Sequence, residues 1–129
     1  MYVQIHATSP FVSPERFRKA LAVITKSGAD CAYSVTEHQS RFDDVDGRPV
    51  NHVPGELLNT QDLTPLYEEN SAFYFFRREA ILGYRDRTAG TRNRIITSPI
   101  ESIDIDDPGD MALARVVFAG LRATLSETS

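Results

Sequence analysis

Four aspartates crowd the run "SIDIDDPGD": Asp104, Asp106, Asp107 and Asp110. Asp104 and Asp106 alternate with Ile103 and Ile105. On an extended strand, residues two apart share a face. The isoleucines would then turn to a core and the two aspartates to the other side. Carboxylates roughly 7 Å apart along a strand repel unless a cation lies between them. Mg²⁺ takes hard oxygen ligands and is held by one or two carboxylates together with substrate phosphates. From spacing alone, a metal clamp and a solvated strand end are equally good readings. Asp107 precedes Pro108 and reads as a helix N-cap, with Asp110 in the first turn supporting the helix dipole.

Two further segments carry polar chemistry. "QIHATSPF" (residues 4–11) straddles the end of a strand and the loop to a helix. Ligand crevices of open α/β sheets lie at such ends, and Gln4, Thr8 and Ser9 can donate and accept hydrogen bonds there. By residue type alone it is also an ordinary polar turn. "TQDLTPLYEENSAFYFF" (residues 60–76) gathers Asn70, Ser71 and Tyr74 where a strand begins, although an aromatic strand reads first as core. His6, His38 and His52 have no metal-ligand spacing, and neither a Gly-rich phosphate loop nor G-x-S-x-G is present. Cys31 falls in an apolar strand and reads as core rather than nucleophile.

The elements around these residues follow from pattern. "YVQIH" (2–6) reads as a strand. Ser13 caps a helix that begins at Pro14, shows Phe17, Ala20, Leu21 and Ile24 on one face, and stops at Gly28. "CAYSVT" (31–36) is the next strand, parallel to the first by the βαβ rule. Asp46-Gly47 signals a hairpin within a polar, exposed β-arm. Residues 57–70 read mostly as loop. "SAFYFFR" (71–77) fits the centre of a sheet. "REAILG" is a short helix stopped by Gly83. "RIITS" and "SIDID" read as strands on either side of a turn. A last helix starts near Pro108, with Met111, Ala114, Val117, Phe118, Leu121 and Leu125 as its buried stripe and residues 124–129 fraying.

With 129 residues the chain suits one domain, 1–129. A net charge of −4 and scattered basic residues give no reason to expect nucleic acid or an anionic membrane as partner. No apolar run reaches membrane-helix length. A lone cysteine and no signal peptide point to a reducing, cytoplasmic setting. A core-like strand at residue two suggests a chain whose beginning is missing, or one that pairs with something else.

Taken in order, "QIHATSP", "KSGAD", "SVTE", the hairpin arm, "TQDLTPLYEENSAFYFF" and "SIDIDDPGD" resemble the C-terminal half of the acylneuraminate (CMP-sialic acid) cytidylyltransferase family. The resemblance covers nearly the whole chain. It implies an α/β fold: a partial nucleotide-diphospho-sugar transferase (Rossmann-like) sheet with a small β-hairpin arm, roughly residues 38–61, and without the N-terminal nucleotide-binding half. It implies Mg²⁺-dependent transfer of CMP from CTP to a 2-keto sugar acid, with release of pyrophosphate. The alternative is a non-catalytic remnant or subunit that binds a sugar acid or a separately encoded N-terminal half. By the same resemblance Asp104 and Asp106 would hold Mg²⁺. Gln4, Thr8, Ser9, Asn70 and Tyr74 would line the sugar-acid site, and the arm would reach a partner in a homo-oligomer. The family's R-x-G-S-K loop has no counterpart here. Thr60 and Glu68 stand where the family often has arginine, and Ser71 where it has glycine. Those changes point away from sialic acid itself toward another sugar acid.

Overall fold

The computed structural model describes residues 1–127. It is a small mixed α/β domain with an open four-stranded sheet and three α-helices, consistent in outline with a Rossmann-like fold. The strands are β1 (Tyr2–Ile5), β2 (Cys31–His38), β3 (Leu66–Phe76) and β4 (Arg92–Thr97). The helices are α1 (Pro14–Ser27), α2 (Arg78–Tyr84) and α3 (Pro108–Glu127). The spatial order is β1-β3-β2-β4. β3 is antiparallel to both neighbours, and β2 is parallel to β4. β1 and β2 therefore run the same way, as the βαβ rule requires, but β3 lies between them.

One sheet face is apolar because alternate residues of every strand are. Phe73 and Phe75 of β3, Ala32 of β2 and Ile95 of β4 pack against Ala20 and Ile24 of α1. Phe17 meets Phe73 at 5.1 Å between ring centroids. Phe73 is fully buried, so truncating it to Ala costs about 3–5 kcal/mol. Pro14 opens α1 at its first position and Gly28, at φ 69°, closes it. Val23 rather than Leu21 joins the packed face, since Leu21 is exposed.

Several expectations need correction. β3 begins at Leu66, inside the segment expected to be loop, because Leu66–Glu69 pair with Val35–His38. α2 runs through Gly83 and ends at Arg85 in the left-handed region, φ 56°. The arm holds only a minimal hairpin, with no full strand on either side of its turn. Its turn forms, with Asp44 Oδ1 accepting the N–H of Asp46 and of Arg48, both at 2.9 Å. The flanks pair across an isolated antiparallel bridge, Asp43 to Pro49, with the Asp44 N–H donating to Arg48 O and the Val50 N–H to Phe42 O, both at 2.8 Å. On α3 the expected buried stripe is mostly open: Ala114 is buried, whereas Met111, Phe118, Leu121 and Leu125 are exposed. The helix persists through Glu127; the last part of the expected fraying, Thr128 and Ser129, lies outside the described residues.

Candidate functional site

β3 is irregular at its middle, and that irregularity shapes the site. Tyr74 pairs with Tyr33, yet Glu69 pairs with Val35. Residues 70–73 of β3 thus bulge opposite Ser34 alone. Ser34 fills the gap: its Oγ accepts the Phe73 N–H at 3.1 Å and donates to the Phe73 carbonyl at 3.3 Å. Ser71 takes the left-handed conformation, φ 59°. Asn70 points inward, where its Nδ2 faces Thr36 Oγ1 (3.0 Å), Thr97 Oγ1 (2.8 Å) and Ser102 Oγ (3.4 Å). Its Oδ1 accepts the Ala72 N–H at 3.4 Å. The Asn70 amide is thereby committed to joining β2, β4 and the turn after β4.

The second sheet face carries a polar and aromatic surface. The pairing sets Gln4, Tyr74, Tyr33 and Arg94 in one row across all four strands. The Arg87 guanidinium lies 3.8 Å from the centre of the Tyr74 ring and donates to Gln4 Oε1 at 3.1 Å. Gln4 Nε2 lies 2.9 Å from His6 Nε2. Tyr74 Oη lies 2.6 Å from Glu69 Oε1 and 2.9 Å from Ser71 Oγ. With one proton to give, the phenol donates to the Glu69 carboxylate. Burial first, and then Glu69, raises the Tyr74 pKa above the ordinary phenol value, so the hydroxyl stays protonated. Two clefts flank this cluster. One of about 560 Å³ is lined by Tyr33, Tyr67, Glu69, Arg92 and Arg94. The other, of about 460 Å³, is lined by Gln4, Glu69, Arg85, Asp86, Arg87 and Thr88. Glu69 borders both.

The aspartate run does not form a strand. A turn consumes its backbone groups instead: Ser98 O accepts the Ser102 N–H and Ile100 O accepts the Ile103 N–H. Asp104 and Asp106 therefore do not share a strand face. The segment still reaches the other polar candidate. The Ile105 N–H donates to Thr8 O at 2.9 Å, and Ser9 Oγ donates to Asp104 Oδ1 at 3.4 Å. Ser9 is buried, while Thr8 and Asp106 are exposed. Asp107 and Asp110 form the expected cap. Asp107 Oδ1 accepts from the N–H of Gly109 and Asp110, and Asp110 Oδ2 accepts from the N–H of Asp106 and Asp107. This reciprocal arrangement is that of a capping box. Among the described residues no group of three or more His, Cys, Asp or Glu side chains gathers as a metal site. Asp104 and Asp106 offer hard oxygens of the kind Mg²⁺ takes, but a full shell would need phosphate and water oxygens as well.

One residue that spacing did not single out organises this end of the molecule. Glu101 is buried at the turn after β4. It accepts hydrogen bonds from Ser13 Oγ (2.6 Å), Ser13 N–H (3.3 Å), Arg16 Nε (2.8 Å) and Ser98 N–H (2.9 Å). Burial, the largest single influence, pushes its carboxyl up; the bonds from Ser13, Ser98 and Arg16 together outweigh it and hold the pKa at about 2. Arg87 and Arg94 were also missed. Their signal was the four arginines of "RDRTAGTRNR", which the structure divides between a loop and β4.

No family model matches the chain. Among curated proteins it is 31% identical over 117 residues to the N-acylneuraminate cytidylyltransferase A of Danio rerio, covering 85% of this chain and 27% of that protein. It is 32% identical over 117 residues to the N-acylneuraminate cytidylyltransferase of Oncorhynchus mykiss, with the same coverages. The chain thus spans about a quarter of the length of the curated relatives it matches. The resemblance is of family level, at low identity and partial coverage.

Proposed function

We propose that the chain is a sugar-acid-binding module of cytidylyltransferase type, which takes part in nucleotidyl transfer only together with a nucleotide-binding half. The observation that carries this reading is the Arg87 guanidinium, stacked on Tyr74 and bonded to Gln4 at the edge of an open cleft. A planar guanidinium matches a carboxylate in two-point geometry. Gln4, Glu69 and Thr88, which line this cleft, offer donors and acceptors for sugar hydroxyls, while Tyr74 lies fully buried beneath Arg87. The likeness to the two fish cytidylyltransferases supports an acidic sugar as the ligand class. Thr60 and Glu68, in place of arginines, favour a sugar acid other than sialic acid.

A second reading keeps catalysis in the assembled protein. The Ser9–Asp104 contact brings the loop after β1 beside the aspartate run. There Asp104 and Asp106 would hold Mg²⁺, whose chemistry is Lewis-acid activation and templating of a bound phosphate chain. Ser9 would orient Asp104, and the Ile105–Thr8 backbone bond would fix the loop beneath.

Calorimetric titration with a panel of 2-keto sugar acids tests the module. At least one should bind, sialic acid should not bind best, and Arg87→Ala should weaken the preferred ligand about tenfold or more, as loss of a charge-assisted pair predicts. No binding by any acid, or equal binding by Arg87→Ala, refutes the reading.

A further inference from the structure

Arg92 and Arg94 have no task in the reading above. They lie two apart on β4, an edge strand of the sheet. Residues two apart share a strand face and are roughly 7 Å apart along it. Arg94 pairs with Tyr33 and Tyr33 with Tyr74, so both arginines stand on the face opposite α1. There they border the cleft that the Arg87 argument does not use. Tyr33 and Val35 of β2 form its floor, and Tyr67 and Glu69 of β3 its far wall. Neither guanidinium has an ion-pair or hydrogen-bond partner among the described residues. Arg16, Arg48, Arg77 and Arg87, by contrast, are committed to carboxylates, carbonyls or an amide. Arg94 is held by stacking alone, with its guanidinium carbon 3.9 Å from the centre of the Tyr67 ring. Such stacking fixes the plane of the fork and leaves its N–H edge free. Tyr67 is anchored in turn, since its phenol bonds to the Glu37 carboxylate, which raises the phenol pKa. Glu69 is engaged as well, because one of its oxygens takes the Tyr74 hydroxyl.

We propose that this second cleft binds a small phosphate monoester of sugar-phosphate type, with Arg92 and Arg94 as the donors to its phosphate group. Charge selects the anion. Two guanidinium groups match a phosphate monoester, which carries about −1.5 to −2 at neutral pH, better than they match a single carboxylate. Each planar fork can engage two phosphate oxygens at once. Size selects an ester over the bare ion. The cleft holds about 560 Å³, within the roughly 300–1,000 Å³ of small-molecule sites. Its wall selects a polyol as the organic part. Tyr33 and Val35 are buried, and the Tyr67 ring is already stacked by Arg94, so little apolar surface is left for a flat ring to cover. The second carboxylate oxygen of Glu69 is left to accept a sugar hydroxyl. The site uses neither Arg87 nor Gln4, so it stands or falls independently of the sugar-acid reading.

The test titrates the full chain calorimetrically at low salt with inorganic phosphate, glucose 6-phosphate and glucose, with circular dichroism as the control for folding. Inorganic phosphate should bind, glucose 6-phosphate should bind several-fold tighter, and glucose should not bind. Arg92→Ala and Arg94→Ala should each weaken glucose 6-phosphate by about tenfold or more, as loss of a charge-assisted pair predicts. Arg94→Lys should weaken it too, because an ammonium keeps the charge but not the fork. Arg18→Ala makes the same change in net charge at an exposed position on α1, across the sheet from the cleft, and should leave binding unchanged. Three results would each overturn the proposal: neither phosphate binds at millimolar concentration, the ester binds no tighter than inorganic phosphate, or folded Arg92→Ala and Arg94→Ala proteins bind no more weakly than Arg18→Ala.

Discussion

Replacing Glu101 by Gln removes the charge that four donors converge on. The Ser13 hydroxyl and N–H address Oε1; Arg16 Nε and the Ser98 N–H address Oε2. A glutamine keeps one acceptor oxygen and turns two N–H groups toward groups that are themselves donors. The magnitude follows from the carboxyl's own titration, which lies at about 2 against an ordinary 4.5. That interval corresponds to about 3 kcal/mol of stability. The sign follows from the depressed value. The contribution is complete above pH 4.5, declines as the pH falls toward 2, and is gone below it. Urea denaturation of wild type and Glu101→Gln from pH 7 to pH 3 reads this directly. The two should differ by about 3 kcal/mol at pH 7 and by about 1 kcal/mol at pH 3, because by then the unfolded wild type has already taken up its proton. Other carboxylates titrate alike in both proteins and cancel. A difference that does not change with pH, or one below about 1 kcal/mol at pH 7, would refute the assignment of Glu101 as an ionised clasp between α1 and the turn after β4.

Two further outcomes are expected. Gly90 has φ 80°, and a Cβ there would run into the Asp30 carboxylate that accepts the Thr91 N–H; Gly90→Ala should cost about 2 kcal/mol or more in denaturant unfolding, and an unchanged midpoint would show that this loop is placed differently. Cys31 is fully buried, and burial pushes its thiol up to about 11, so a disulfide reagent at pH 8 should leave it unmodified in native protein and react within minutes once urea is added.

The elements whose identity rests on local chemistry were legible in the sequence. Ser13, Pro14 and Gly28 bound α1 where their capping preferences put them, and Asp107 with Asp110 begins α3. The aromatic run of β3 sits inside the sheet, as an unbroken apolar strand should. What failed depended on partners distant in sequence. "SIDID" has the alternation of a strand, but the turn from Ser98 to Ile103 takes the backbone groups that a ladder would need. Leu66–Glu69 look like loop until β2 supplies their partners. The stripe on α3 is real as a pattern, yet a pattern does not state what covers it. Gln4 and Tyr74, named together by the family resemblance, lie in one cluster, and Ser9 meets Asp104. Glu101 was invisible because a lone charged residue carries no periodic signal, and Arg87 is one of four arginines in a polar stretch that nothing in the spacing tells apart. Each meets groups more than eighty residues away in the chain, Ser13 for Glu101 and Gln4 for Arg87.

The arm leaves and re-enters the sheet at a single point. His38 and Leu66 are direct partners in the β2–β3 ladder, so the excursion over residues 39–65 returns to where it began. Its neck is tied shut by Asn51, whose Nδ2 donates to Ser40 O at 2.8 Å and to Thr64 O at 2.9 Å, and by Gln39 Nε2 donating to Leu63 O at 2.6 Å. A closed excursion of this kind is a modular insertion. Loop-closure entropy rises only by about 0.6 kcal/mol for each doubling of length, so the arm can be shortened, lengthened or exchanged while the ladder beneath keeps its register. Divergence among proteins built on this plan can therefore concentrate there at almost no thermodynamic cost to the sheet.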